Sequence, residues 1–162
     1  MRITLLLILN IFIYVFLSVF NWAPIEEDAY IYFRFVENIV NGWGCVFNPL
    51  SERVESCSSI TWLLLLALLK ILGFNVIIAA KIAGIAIGCC TLWLIYKISN
   101  LFISRSLSLL PSYLTSLSIP FIMRNQMGLE TPLATFFSLS VIFVLLKKEI
   151  SSFRLLILLC LF

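Results

Sequence analysis

The sequence has no histidine at all. That removes Ser/His/Asp triads, imidazole general bases and imidazole metal ligands. Any proton transfer must fall to a carboxylate, a lysine, a tyrosine or a cysteine. Charge is also scarce: 12% of the 162 residues are charged and 62% are hydrophobic. A soluble domain averages about a quarter charged and about half apolar. With a mean hydropathy of +1.13, the composition is that of an all-α polytopic membrane protein. The net charge of +3 is spread along the chain without a basic patch interleaved with aromatics, so no nucleic-acid partner is expected. The five cysteines show no CxxC spacing, which argues against a zinc site.

Long apolar runs dominate what is there. Residues 3–20 (ITLLLILNIFIYVFLSVF) follow Arg2 and carry no small-x-small cleavage site behind them. They read as an uncleaved first span with a cytoplasmic N-terminus. Residues 76–96, 107–123 and 132–147 are three more candidate spans, and a partial one begins at about 152. Residues 60–73 are apolar but short for a crossing of ~30 Å and read as an interfacial segment. With 60–73 confined to the interface, Lys97, Arg105, Lys147 and Lys148 all fall on the cytoplasmic side, as the positive-inside rule prefers. Residues 21–75 then form a first external loop and 124–131 a second. The final LLILLCLF has no polar flank, and the chain reads as the N-terminal part of a longer protein or as a product truncated at its end.

The first external loop holds most of the acids. Glu26, Glu27 and Asp28 are consecutive. One carboxylate there would be a plain helix-start residue. Three together, with Arg34 nearby, point to a site, because their repulsion would raise one pKa toward a useful base. Residues 28–41 pattern as an interfacial helix, with Ala29, Tyr32, Val36 and Ile39 on one face and Glu27, Arg34, Glu37 and Asn41 on another. FNPLSERVES (47–56) is a turn in which Glu52 and Glu55 flank Arg53. Ser58-Ser59 before ITW reads as an N-cap. Glu130, in GLET, is the lone acid between Glu55 and Glu149. A Cys45–Cys57 disulfide is open if both face an oxidising side, with two free thiols the preferred reading. Lys81 lies inside a candidate span, which leaves room for a transporter in which Lys81 and Glu130 line a path. No inverted repeat supports that alternative.

Taken in order, DAYIYFR, NGWG, VFNP, ERVE, Ser-x-x-W and GLETPL resemble the GT-C-fold glycosyltransferases that use polyprenyl-phosphate sugars. The nearest group includes the mycobacterial arabinofuranosyltransferases. Lipid A aminoarabinose transferases and protein mannosyltransferases are more distant. The resemblance spans roughly residues 22–140, nearly the whole chain. Glu27 stands where the family carries Asp, Leu50 and Ser56 where Gly is usual, and Cys57 where Tyr is usual. The resemblance implies membrane-parallel helices in the first external loop and an active site on the external face of the inner (plasma) membrane. It implies inverting transfer from a polyprenyl-phosphate sugar to a glycan, lipid or protein acceptor. Glu27 or Asp28 would be the base, with Glu27 at the family's first acid. Arg34, Arg53 and Glu55 would bind substrate, and Arg34 or Arg53 would meet the leaving phosphate. Glu130 would position the acceptor, or join Glu27 around a divalent cation such as Mg or Mn. The competing expectation is a catalytically inactive membrane fragment or accessory protein.

Overall fold

The computed structural model describes residues 2–49 and 58–147, with helix side chains from Ile3 onward. Among the described residues every regular element is a helix. These are α1 (Arg2–Phe20), α2 (Ala29–Val40), α3 (Ile60–Ile71), α4 (Val76–Ser99), α5 (Leu109–Ser116), α6 (Ile119–Arg124) and α7 (Thr131–Lys147). Two stretches, Ile3–Phe20 and Val76–Ser99, are long and apolar enough to cross a membrane. Helix α1 leaves Leu5, Phe12, Phe16 and Phe20 largely exposed, so its outer face has no partner among the described residues.

Helices α1 and α4 are antiparallel neighbours. Leu7 clusters with Tyr96 at one end, and Tyr14 clusters with Leu92 further along. Tyr14 also lies against Gly88. Small residues at 84 and 88 let other groups approach the α4 backbone. A Cβ on Gly84 would lie 1.8 Å from the Asn125 carbonyl oxygen, and one on Gly88 would lie 2.2 Å from the Tyr14 hydroxyl. Buried polar groups join the same helices. The Asn10 amide donates to Ser112 Oγ at 2.8 Å and accepts from Ser116 Oγ at 2.6 Å, and Ser112 Oγ donates to the Leu92 carbonyl at 3.0 Å. In an apolar surround such groups must satisfy one another.

The run 107–123 differs from the single span expected. It is two helices of 8 and 6 residues, about 12 Å and 9 Å long, against the ~30 Å of a bilayer core. The break lies at Leu117–Ser118, where Ser118 turns extended (ψ 112°) and Pro120 opens the next helix. Proline tolerates a first turn but not a helix interior. The two pieces still run back along α1 and α4, since Leu109 joins the Leu7/Tyr96 cluster and Ile122 the Tyr14/Leu92 cluster.

Helix α3 has 12 residues, about 18 Å, too few to cross. Ser59 Oγ accepts from the Trp62 N–H at 3.2 Å and caps it, as read from the sequence. The apolar face of α2 is turned inward rather than to lipid. Ala29, Tyr32, Phe33, Phe35 and Val36 are buried in one core with Trp62, Leu63 and Leu66 of α3 and Ala80 of α4. Arg34 and Glu37 stay exposed, on the opposite side. The NGWG turn closes α2: Gly42 and Gly44 take φ of 83° and 78°, and the Asn38 amide donates to the carbonyls of Val46 and Phe47 at 2.7 and 2.9 Å.

Candidate functional site

Three segments far apart in sequence meet at the C-terminal end of α1. The first is 22–28. The Glu26 N–H donates to the Met127 carbonyl at 3.0 Å, and Arg124 Nη1 lies 3.4 Å from Glu26 Oε2. Both side chains of that pair are substantially exposed, so it is worth less than about 1 kcal/mol. The second segment is 58–62, where Ser58 Oγ donates to Glu130 Oε1 at 2.6 Å and Trp62 Nε1 donates to the Gly128 carbonyl at 3.0 Å. The third is the turn 124–130 itself. Gly128 makes the meeting possible: its φ is +90°, and a Cβ there would lie 3.0 Å from Ala29 Cβ and 3.2 Å from Phe33 Cζ. A larger residue would hold the turn away from α2.

Glu26, Glu27 and Asp28 form a tight turn. Successive backbone bonds Ala29 N to Glu26 O, Tyr30 N to Glu27 O and Ile31 N to Asp28 O lead into α2. This i to i+3 pattern is 3₁₀-like and fans the three carboxylates apart. Asp28 occupies the cap position with helical dihedrals (φ −64°, ψ −23°) and makes no capping bond. Its carboxylate is therefore not consumed by the helix. Glu27 and Asp28 are exposed and line, with Pro24, Ile25, Glu26 and Met127, an open depression of about 400 Å³.

Glu130 is tied elsewhere. Tyr32 accepts from the Ser59 N–H at 2.8 Å and bonds Ser58 Oγ at 2.9 Å. Because Ser58 donates to Glu130, the proton order is Tyr32 to Ser58 to Glu130. The 2.6 Å length of the last bond is that of a charge-assisted O–H···O⁻ contact. Glu130 Oε2 is buried without a partner among the described residues. Burial pushes the Tyr32 phenol above its ordinary 10.0, the bonds from Ser58 and Ser59 pull it back, and the Glu130 charge adds to the rise.

Of the residues singled out from the sequence, Glu27 and Asp28 share the depression. Glu130 is in the adjoining hydrogen-bonded chain and does not line it. Arg34 points from the exposed side of α2, its Nε donating to the Phe47 carbonyl at 3.2 Å. Arg53 and Glu55 lie outside the described residues, as does Cys57, so the Cys45–Cys57 question falls there too; Cys45 is exposed and has no disulfide partner among the described residues. Among the described residues, no group of three or more His, Cys, Asp or Glu side chains gathers. Residues not foreseen as functional include Ser58, which the sequence places with Ser59 in a cap, along with Tyr32, Met127 and Gly128. The Gly84-x-x-x-Gly88 spacing was a readable signal for close packing on α4.

No family model matches the chain, and no curated protein or solved structure is significantly similar to it.

Proposed function

We propose that the chain is a membrane glycosyltransferase of the GT-C type. It would take a sugar from a polyprenyl-phosphate donor and pass it, with inversion, to a glycan, lipid or protein acceptor at the external face of the inner membrane. The observation that carries this reading is the convergence of the acidic turn, the Ser58–Trp62 segment and the GLE turn on one end of the helices. Three of the motifs on which the resemblance rests, the start of DAYIYFR, Ser-x-x-W and GLETPL, belong to these segments, which lie beside two apolar helices long enough to span. A donor held by its prenyl tail in the bilayer delivers its phosphate to that edge.

In the proposed reaction a carboxylate lining the depression accepts the proton of the acceptor hydroxyl. The hydroxyl oxygen forms the new bond to the anomeric carbon. The bond from that carbon to the phosphate oxygen breaks, and the polyprenyl phosphate leaves with the electron pair. Attack opposite the leaving group inverts the centre. Glu27 is the proposed base and Asp28 its neighbour in support, because Glu27 holds the family's first acid position. Arg34, with Arg53, would meet the phosphate, since a guanidinium presents a planar fork of donors. Glu130, fixed by Ser58, would orient the acceptor.

The experiment is transfer of radiolabelled sugar from a synthetic polyprenyl-phosphate donor to endogenous acceptors in membranes expressing the chain. Wild type should label an acceptor above membranes lacking it, and Glu27→Gln should cut the rate about 100-fold or more, the scale of a lost general base. An unchanged rate in both Glu27→Gln and Asp28→Asn would refute the assignment of the base. No transfer with a panel of hexosyl and pentosyl donors would favour a non-catalytic accessory protein.

A further inference from the structure

Lys81 is the one basic residue inside the apolar part of α4, and it is 4% exposed. A buried ammonium normally has a carboxylate partner. This one has none among the described residues, where the ion pair formed is Arg124–Glu26. Its amine donates instead to the Ala23 carbonyl and sits 4.5 Å from the centroid of the Trp22 ring. Both contacts are on the segment that leaves α1. Pro24 follows at once and then the acidic turn, so the residues lining the depression begin one position after the anchored carbonyl. One turn along α4, Gly84 receives the Asn125 carbonyl, two residues before Met127 on the opposite wall.

We infer that Lys81 is a positioning residue that latches the acidic turn to α4 and so holds Glu27 and Asp28 at the depression. The physical reason is directional. A lysine desolvated among apolar side chains can recover hydration only from acceptors within reach of its stem. Here the carbonyl and the indole face are those acceptors, and a cation over an indole is the strongest of the ring pairings. Releasing the amine would leave an unsolvated charge, so segment 22–23 is held as tightly as that penalty demands. On the far side the turn is held by the Glu26 N–H bond to the Met127 carbonyl and the exposed Arg124–Glu26 pair, while the Glu27 and Asp28 side chains have no partner among the described residues; Lys81 is the buried charged anchor on the α4 side. The functional consequence rests on the transferase reading; the latch itself does not.

The test is hydrogen exchange of the full chain in lipid nanodiscs, read peptide by peptide, for wild type, Lys81→Met and Lys81→Arg. Methionine keeps the volume and removes the charge; arginine keeps both charge and donors. In Lys81→Met the amides of residues 22–30 should exchange at least 10-fold faster, while those of α3 and of the distal half of α4 keep wild-type rates. Lys81→Arg should restore most of the protection. Unchanged rates at 22–30 in Lys81→Met would overturn the latch, and so would equal acceleration along the whole chain, which would make Lys81 a general stabiliser. In the transfer assay Lys81→Met should lower kcat with little change in KM. If wild type transfers no sugar yet 22–30 still loosens in Lys81→Met, the latch stands and the transferase reading falls.

Discussion

Gly128 is the residue on which the convergence of the three segments can be tested most sharply. Gly128→Ala adds one methyl to a backbone at φ +90°. Holding a non-glycine residue in a left-handed conformation costs about 1–2 kcal/mol. The added carbon also meets Ala29 Cβ at 3.0 Å, Phe33 Cζ at 3.2 Å and Ile25 Cδ1 at 3.4 Å. Ala29 and Phe33 belong to the buried core, so relief requires the turn to retreat from α2, at about 1–3 kcal/mol for an overpacked contact. The sum, about 2–5 kcal/mol, is a large part of the ~5–15 kcal/mol that folded proteins command. For a chain of this size it corresponds to a Tm drop of roughly 5–15 °C, read as thermal unfolding in nanodiscs. Gly42→Ala is the internal control. Its φ is +83° with nothing within 4 Å, so it bears the backbone cost alone, about 1–2 kcal/mol. Retreat of the turn should also lengthen the Trp62–Gly128 bond and shift the Trp62 emission. A Gly128→Ala no more damaging than Gly42→Ala would refute the close approach of the 124–130 turn to α2, and with it the assembled site.

Other expectations follow from single contacts. Gly84→Ala should leave little folded protein by size-exclusion chromatography in detergent, because its Cβ would overlap a backbone oxygen at 1.8 Å that no rotamer change can move. Asn10→Leu removes both buried bonds from α1 to α5 and should lower stability by about 1–2 kcal/mol, measured against Ser112→Ala and Ser116→Ala in a mutant cycle. Tyr32 has a folded-state pKa above its unfolded one. Its neutral phenol therefore contributes stability that is complete below pH ~10 and declines as pH rises through the raised value. The stability advantage of wild type over Tyr32→Phe should shrink on alkaline titration, and an advantage that grows with pH would contradict the buried position of the phenol. Ser58→Ala strips Glu130 Oε1 of its donor beside an Oε2 that has none among the described residues, and Glu130→Gln in the Ser58→Ala background should recover part of the lost stability.

Much of the helical layout was legible because it depends on short-range pattern. Residues 3–20 and 76–96 are predominantly apolar, interrupted by a few polar side chains such as Asn10, Ser18, Lys81 and Thr91, and the helices found there start and stop within a few residues of the reading. Ser59 announced α3 by its type and place. The period of α2 marked Ala29, Tyr32 and Val36 as buried. It did not say against what, because lipid and the face of α3 are equally apolar partners. The broken run at 107–123 was the misreading. Hydropathy sums over Leu117, Ser118 and Pro120 without registering that the chain turns there.

The site divides along the same line. That three carboxylates stand together at 26–28 is a property of adjacency, and the absence of histidine confines acid–base chemistry to carboxylates, lysines, tyrosines and thiols in any fold. Which acid faces which neighbour is not. Ser58 is bonded to Glu130 across 72 positions, and Trp62 to Gly128 across 66. Lys81 reaches Ala23 over 58. These pairings follow from how tightly helices can approach, which is set by missing side-chain atoms at Gly84, Gly88 and Gly128 as much as by the groups that bond. A local pattern records the identity of each residue. The direction in which a buried ammonium or a carboxylate finds its partner is decided only when helices distant in sequence pack, because desolvation leaves each polar group no acceptable state but the one that satisfies it.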